Sequence, residues 1–235
     1  TTMAGGSIDS ELSGNMIDVC PVGALTSKPF RYAARTWELS RRKSVSPHDG
    51  TGANLVVQVK ANQVLRVVPL ENEESVDFRT RHADFGNTAA AGQAQWLGGA
   101  IAALSTLDAA LVVGSFLRKD HPLLAQRLRQ SARKGGAVFS LQAVHDDWAL
   151  PLAGRITAAP DAWVQALANV AGYVAAAKGV AAPANALVDA DAERAASALL
   201  AGERQAVLLG NAASQHPQAS SLLALANYIG QHTGA

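Results

Sequence analysis

The stretch LVVGSFLRKDHPLLAQRL, residues 111–128, decides the fold. It opens on an apolar run, reaches Gly114, crosses a short polar loop and enters an amphipathic segment at His121-Pro122. A short apolar run of this kind, within AALVVGS (109–115), reads as a strand buried on both faces. The segment 121–135 predicts a helix with Leu123, Leu124, Leu128 and Ala132 on one stripe and Gly135 as its stop. The same order recurs at VLLGNAASQHPQASSLLAL (207–225), with Gly210, His216 and Pro217 in corresponding places. Each proline is expected at a first helical turn, where its missing N–H costs nothing. Each glycine is expected to let the chain turn sharply as it leaves the strand. Two similar βα units with the same turn chemistry are the simpler reading. The sharper one is two halves of a nucleotide-type site at the carboxyl ends of parallel strands.

Outward from this repeat the pattern alternates. A helix is expected over 93–107, a strand over 137–144, helices over 160–177 and 190–202, a strand over 205–210 and a last helix over 216–232. Such alternation implies an α/β fold with a parallel sheet covered on both faces. Upstream the texture changes. Residues 36–70 read as strands, and NLVVQVK (54–60) and QVLRVVPL (63–70), separated by Ala-Asn, suggest a hairpin. Residues 1–35 are punctuated by Gly, Pro and Ser and read as loop-rich. The stretch 71–88 has no clear period and reads as a linker or surface strap.

Of the 235 residues 49% are hydrophobic but only 5% aromatic, so the core must be built mainly from Ala, Leu and Val. The 20 basic and 19 acidic residues give no overall electrostatic reason to expect nucleic acid as a partner. No apolar run is long enough to cross a bilayer, and no N-terminal segment reads as a secretory signal. Any membrane link is therefore expected to be indirect, through a protein partner. The ends, TTMAGG and NYIGQHTGA, suggest a fragment.

The single cysteine, Cys20, excludes an intrachain disulfide and fits a reducing compartment. It is followed by Pro21, and Cys-Pro is how the last cysteine of many iron–sulfur motifs reads. A buried inert thiol is the alternative. The surrounding residues, SGNMIDVCPVGALTSKPFRYAARTWELSRRKSVSPHDGTGANLVVQVK (13–60), resemble the large iron–sulfur subunit of respiratory complex I. This is the G subunit of bacterial NADH–quinone oxidoreductase and the 75-kDa subunit of mitochondria. The likeness is dense over 10–74 and looser through VVGSFLRKDHPLLAQRLRQ to the end.

The resemblance implies that Cys20 is the fourth thiolate of a 4Fe-4S cluster whose other three cysteines come earlier, in a run absent here. It implies the domain order 1–35, the end of a 4Fe-4S domain; 36–74, a β-rich segment like a cluster-less molybdopterin-oxidoreductase 4Fe-4S domain; 75–92, a linker or chain discontinuity; and 93–235, a truncated molybdopterin-oxidoreductase-like, Rossmann-like domain. A stretch usual in the family is missing near residue 74. Related enzymes carry C-P-x-C-x3-C ahead of the first hairpin. Here Ser46, Asp49 and Ala53 occupy those positions, so that site has lost its cluster. His48 and Asp49 could bind a borderline metal, but a solvated turn is the simpler reading. Gly114, Ser115, His121, Gly210, Asn211 and His216 fall in loops that hold a pterin in the active relatives. The resemblance implies that here they are scaffold, with no molybdenum.

The implied role is electron transfer from NADH through FMN and iron–sulfur clusters toward quinone, coupled to proton translocation. The implied partners are the flavin-bearing NADH-binding subunit and the peripheral-arm iron–sulfur subunits. The implied location is the cytoplasmic face of the bacterial inner membrane. Alternatives are an interaction module without redox role, or a degenerate nucleotide- or pterin-binding oxidoreductase. For the latter, each strand-end loop supplies only one glycine, so the phosphate-loop fingerprint fails.

Overall fold

The computed structural model describes residues 13–14, 16–17, 20, 24–27, 30–47, 54–70 and 99–235. The chain divides into two compact units, Thr1–Phe78 and Arg79–Ala235. The expected linker over 75–92, the missing stretch near residue 74 and positions 48, 49 and 53 lie outside the described residues.

In the first unit, a turn of 3₁₀ helix at Thr36–Glu38 leads into β1 (Ser40–Val45), β2 (Asn54–Lys60) and β3 (Gln63–Pro69). They form an antiparallel sheet in the order β1-β2-β3. The Ala-Asn turn is as the sequence suggests. Ala61 and Asn62 both have positive φ, 49° and 62°, which is the primed turn that matches strand twist. Leu39 and Val56 are its buried apolar residues. Glu38 ties the 3₁₀ turn down: it accepts from the Arg35 N–H at 2.7 Å and pairs with Lys60 at 3.1 Å. Those two contacts, the backbone one first, hold its carboxyl below the usual carboxylate range.

In the second unit β4 (Ala109–Val113), β5 (Ala137–Gln142), β6 (Gly154–Thr157) and β7 (Gln205–Leu209) form a parallel sheet. Their order is β6-β5-β4-β7. The chain moves outward from β4 to β6 and returns to the other side of β4, so a topological switch point lies between β4 and β7. The helices are α1 (Leu117–Asp120), α2 (Pro122–Arg133), α3 (Trp163–Lys178), α4 (Ala190–Ala201), α5 (Asn211–Ser214) and α6 (Ala219–Thr233).

Alternate residues of β4 point to opposite faces, as the pleat requires. Leu111 and Val113 pack with Leu167, Val170 and Val174 of α3, Leu199 of α4 and Leu222 and Ile229 of α6. Ala110 and Val112 pack with Leu117, Leu128 and Trp148 on the other side. All five β4 residues are buried. The sheet is thus covered on both faces, and the fold is α/β.

Several expectations need correction. Within the described part of 93–107 the backbone is a 3₁₀ helix, Ile101–Thr106. Ser105 and Thr106 hydroxyls donate to the carbonyls of Ala102 and Ala103, three residues back, which suits the tighter helix. Leu123 is 55% exposed, whereas Ala125 is buried. Leu128 is buried and Leu124 and Ala132 pack against the same cluster, so of the expected stripe only Leu123 falls outside it. The α3 region begins as a 3₁₀ turn at Pro160–Ala162, and Gly179 ends α3 with φ of 67°. The last helix starts at Ala219, so Pro217 stands outside it. Strand β6 has no counterpart in the expected pattern.

Candidate functional sites

Cys20 lies in a region built from local turns. The amides of Met16 and Ile17 donate to the carbonyls of Ser13 and Gly14, and Phe30 and Ala33 close similar turns with Ser27 and Phe30. The Cys20 side chain is half-buried. A 4Fe-4S cubane needs four ligands, and soft thiolate is the donor it favours. Among the described residues no group of three or more His, Cys, Asp or Glu side chains could hold a metal. The residues present supply one suitable donor and therefore do not by themselves fit a cluster.

The second candidate is the switch point of the parallel sheet. Here the two echoed segments lie side by side, because β4 and β7 pair in register, Val113 opposite Leu209. The following loops interlock. Gly114 N–H donates to the Leu141 carbonyl at 3.0 Å, Gly210 N–H to Val113 at 2.8 Å, and Ala212 N–H to Gly114 at 2.9 Å. Gly114 does have the turn conformation expected, with φ of 62°. Gly210 does not: its φ is −90°, which any residue adopts. Its lack of a side chain serves close approach, since a Cβ there would collide with Ser115 Cβ and lie 2.8 Å from the Gly114 carbonyl oxygen.

Ser115 is buried and donates from Oγ to Asp120 at 3.0 Å. The expected loop 115–120 is largely the helical turn α1, with Leu117 and Arg118 buried and Arg118 paired to Asp147 at 2.7 Å. His121 occupies the N-cap position of α2, with Pro122 at the helix start, but its side chain makes no capping bond. His216 does more than its sequence position suggests. Its Nε2 donates to the Pro160 carbonyl at 2.8 Å, and Nδ1 accepts from the Gln218 N–H at 3.0 Å. These bonds define the neutral Nε2-protonated imidazole. The ring stacks on Trp163 at 5.8 Å, and Trp163 Nε1 donates to the Ala158 carbonyl at 3.0 Å. His216 thus joins the loop before α6 to the start of α3. The backbone donors at Gly114, Gly210 and Ala212 are consumed within the fold and cannot cradle a phosphate.

Both family matches fall in the first unit. Residues 1–26, which include Cys20, match the ferredoxin-like domain of NADH-quinone oxidoreductase subunit 3. Residues 39–78, which include β1 to β3, match the NADH-ubiquinone oxidoreductase NDSU1/NuoG-like 4Fe-4S domain. The first unit is therefore similar to iron–sulfur domains of NADH–quinone oxidoreductases. More particularly, it is similar to the large iron–sulfur G subunit of those enzymes. The NADH-quinone oxidoreductase G subunit of Rickettsia felis is 51% identical over 67 residues, 28% of this chain and 10% of the relative. Its counterpart in Rickettsia bellii is 52% identical over 67 residues, 28% of this chain and 10% of the relative. The mitochondrial NADH-ubiquinone oxidoreductase 78 kDa subunit of Neurospora crassa is 49% identical over 80 residues, 32% of this chain and 11% of the relative. The chain spans about a tenth of the length of the curated relatives it matches.

Proposed function

We propose that Cys20 is one of four thiolate ligands of a 4Fe-4S cluster in the intact subunit, the other three lying outside these 235 residues. The observation that carries this reading is the position of the chain's single cysteine inside the ferredoxin-like match, with Pro21 directly after it. The first unit then serves the electron-transfer arm of an NADH–quinone oxidoreductase, in which electrons pass from NADH by way of FMN and iron–sulfur clusters toward quinone, coupled to proton translocation. Its neighbours are the flavin-bearing NADH-binding subunit and the other peripheral-arm iron–sulfur subunits. The assembly lies on the cytoplasmic face of the bacterial inner membrane, and this chain reaches the membrane only through them. Among the described residues no helix is long and apolar enough to cross a membrane.

The α/β unit is scaffold, of molybdopterin-oxidoreductase-like ancestry and without molybdenum chemistry. Two observations support this: its strands lie in the 3-2-1-4 order of a doubly wound half, and its switch-point crevice is bridged by its own backbone. The ligand assignment is tested by thiol labelling of the assembled complex. Cys20 should resist alkylation while the clusters are intact and react once they are destroyed by oxidation and chelation. Equal labelling before and after would remove the assignment.

A further inference from the structure

We propose that β7 is a docking edge on which a second copy of this chain lays its own β7, antiparallel, about a twofold axis at Val207. This inference stands apart from the role of Cys20.

β7 closes one side of the parallel sheet, and among the described residues no strand lies beyond it. The Ala109 N–H donates to the Arg204 carbonyl, and the Gly210 N–H donates to the Val113 carbonyl. In a parallel ladder alternate residues of a strand turn both main-chain groups to the same neighbour. Arg204, Ala206, Leu208 and Gly210 therefore serve β4. Gln205, Val207 and Leu209 turn their N–H and C=O groups outward, where no described residue bonds to them.

β7 also lacks the devices that keep an edge solitary. β1 carries Arg41, Arg42 and Lys43, and β3 carries Arg66 and ends on Pro69. β6 is four residues long and carries Arg155. β7 is Gln-Ala-Val-Leu-Leu, without charge or proline, and all its residues are only half-buried, whereas those of β4 are buried throughout. Both ends of β7 are held in place, by the Asp108 carboxylate on the Arg204 amide and by the Gly210 bond to Val113. An edge already fixed loses little conformational freedom when a strand is added to it.

The pattern of outward groups is its own complement. With the axis at Val207, Val207 faces its copy, and Gln205 faces Leu209 of the other chain. In every facing pair both residues have their groups turned outward, so each pair exchanges both main-chain bonds, as an antiparallel ladder requires. The same register sets Glu203 against Asn211 and Arg204 against Gly210, so no like charges meet. Such a contact is isologous and closes as a dimer. The joined sheet is mixed, a common arrangement.

The test uses the full 235-residue chain. In sedimentation it should shift from monomer toward dimer between about 1 µM and about 1 mM, the range of modest affinities. Amide hydrogen exchange, read by mass spectrometry at residue resolution, examines the edge itself. Val207 and Leu209 should exchange fast in dilute and slowly in concentrated chain, whereas Ala206 and Leu208, bonded to β4, should be slow in both. Val207→Pro removes an N–H that β4 does not use, so the fold should persist, as checked by far-ultraviolet circular dichroism. Self-association of this variant should weaken by about tenfold or more. Leu123→Ser removes an exposed apolar side chain elsewhere on the unit and should change association by less than about twofold. A monomer at every concentration would overturn the proposal and leave the edge to a strand of another protein. So would equal losses in Val207→Pro and Leu123→Ser, or exchange at Val207 and Leu209 that ignores concentration.

Discussion

Gly210 and Ser115 meet where the ends of β7 and β4 lie side by side, so closely that a methyl group on Gly210 would collide with the Ser115 Cβ. The contact is what lets the Gly210 N–H reach the Val113 carbonyl at 2.8 Å. Gly210→Ala should therefore destabilise the α/β unit by about 1–3 kcal/mol through overpacking, read as a lowered calorimetric transition. Gly114→Ala should be at least as damaging, because its φ of 62° adds backbone strain to contacts with Ala213 and Trp163. An unchanged transition in either variant would contradict the interlocked loops.

His216 is a clamp rather than a cap. His216→Leu strands the Pro160 carbonyl and the Gln218 N–H together, which should cost about 1–3 kcal/mol. Electron transfer per assembled complex should hardly change if this unit is scaffold. Thermal unfolding and turnover measured on the same preparation separate the two effects.

Asp108 joins the starts of β4 and β7. Its Oδ2 accepts from the Glu203 and Arg204 amides and its Oδ1 from the Arg204 guanidinium at 3.0 Å. The Arg204 guanidinium, then its amide, hold the Asp108 carboxyl below its ordinary value. The folded state thus favours the ionised form. The contribution is present above the unfolded aspartate value of about 3.9 and is lost as pH falls through the lower folded value. Asp108→Asn should lower the thermal midpoint near neutrality, and the gap to the parent chain should close in acid. A gap that widens in acid would reverse the sign of this account.

The 235-residue chain by itself should be redox-silent, because it holds one thiol and a cubane needs four ligands. Anaerobic treatment with iron and sulfide should leave no stoichiometric brown chromophore on the monomer, measured by visible absorption and iron analysis. A stable four-iron centre in the monomer would refute this.

Much of the fold could be read from local pattern. β4, β5 and β7 are short apolar runs, and the hairpin is two β-branched runs around Ala-Asn, so both signals are local. β6 is not: Gly-Arg-Ile-Thr is four residues long and gains its identity from pairing along β5. Gly210 carries a close approach from a distant loop, which no local pattern encodes. Leu123 fits a helical stripe, yet the placement of α2 on the sheet turns it outward. The cluster role of Cys20 rests on family likeness, since one Cys-Pro pair specifies little.

The most direct measurement is low-temperature electron paramagnetic resonance, with iron and acid-labile sulfide analysis, of the intact assembled complex carrying Cys20→Ala. The account predicts loss of one 4Fe-4S signal, a matching deficit of iron and sulfide, and slower NADH-to-quinone turnover. A full set of cluster signals with unchanged iron content would contradict it and leave Cys20 a structural thiol.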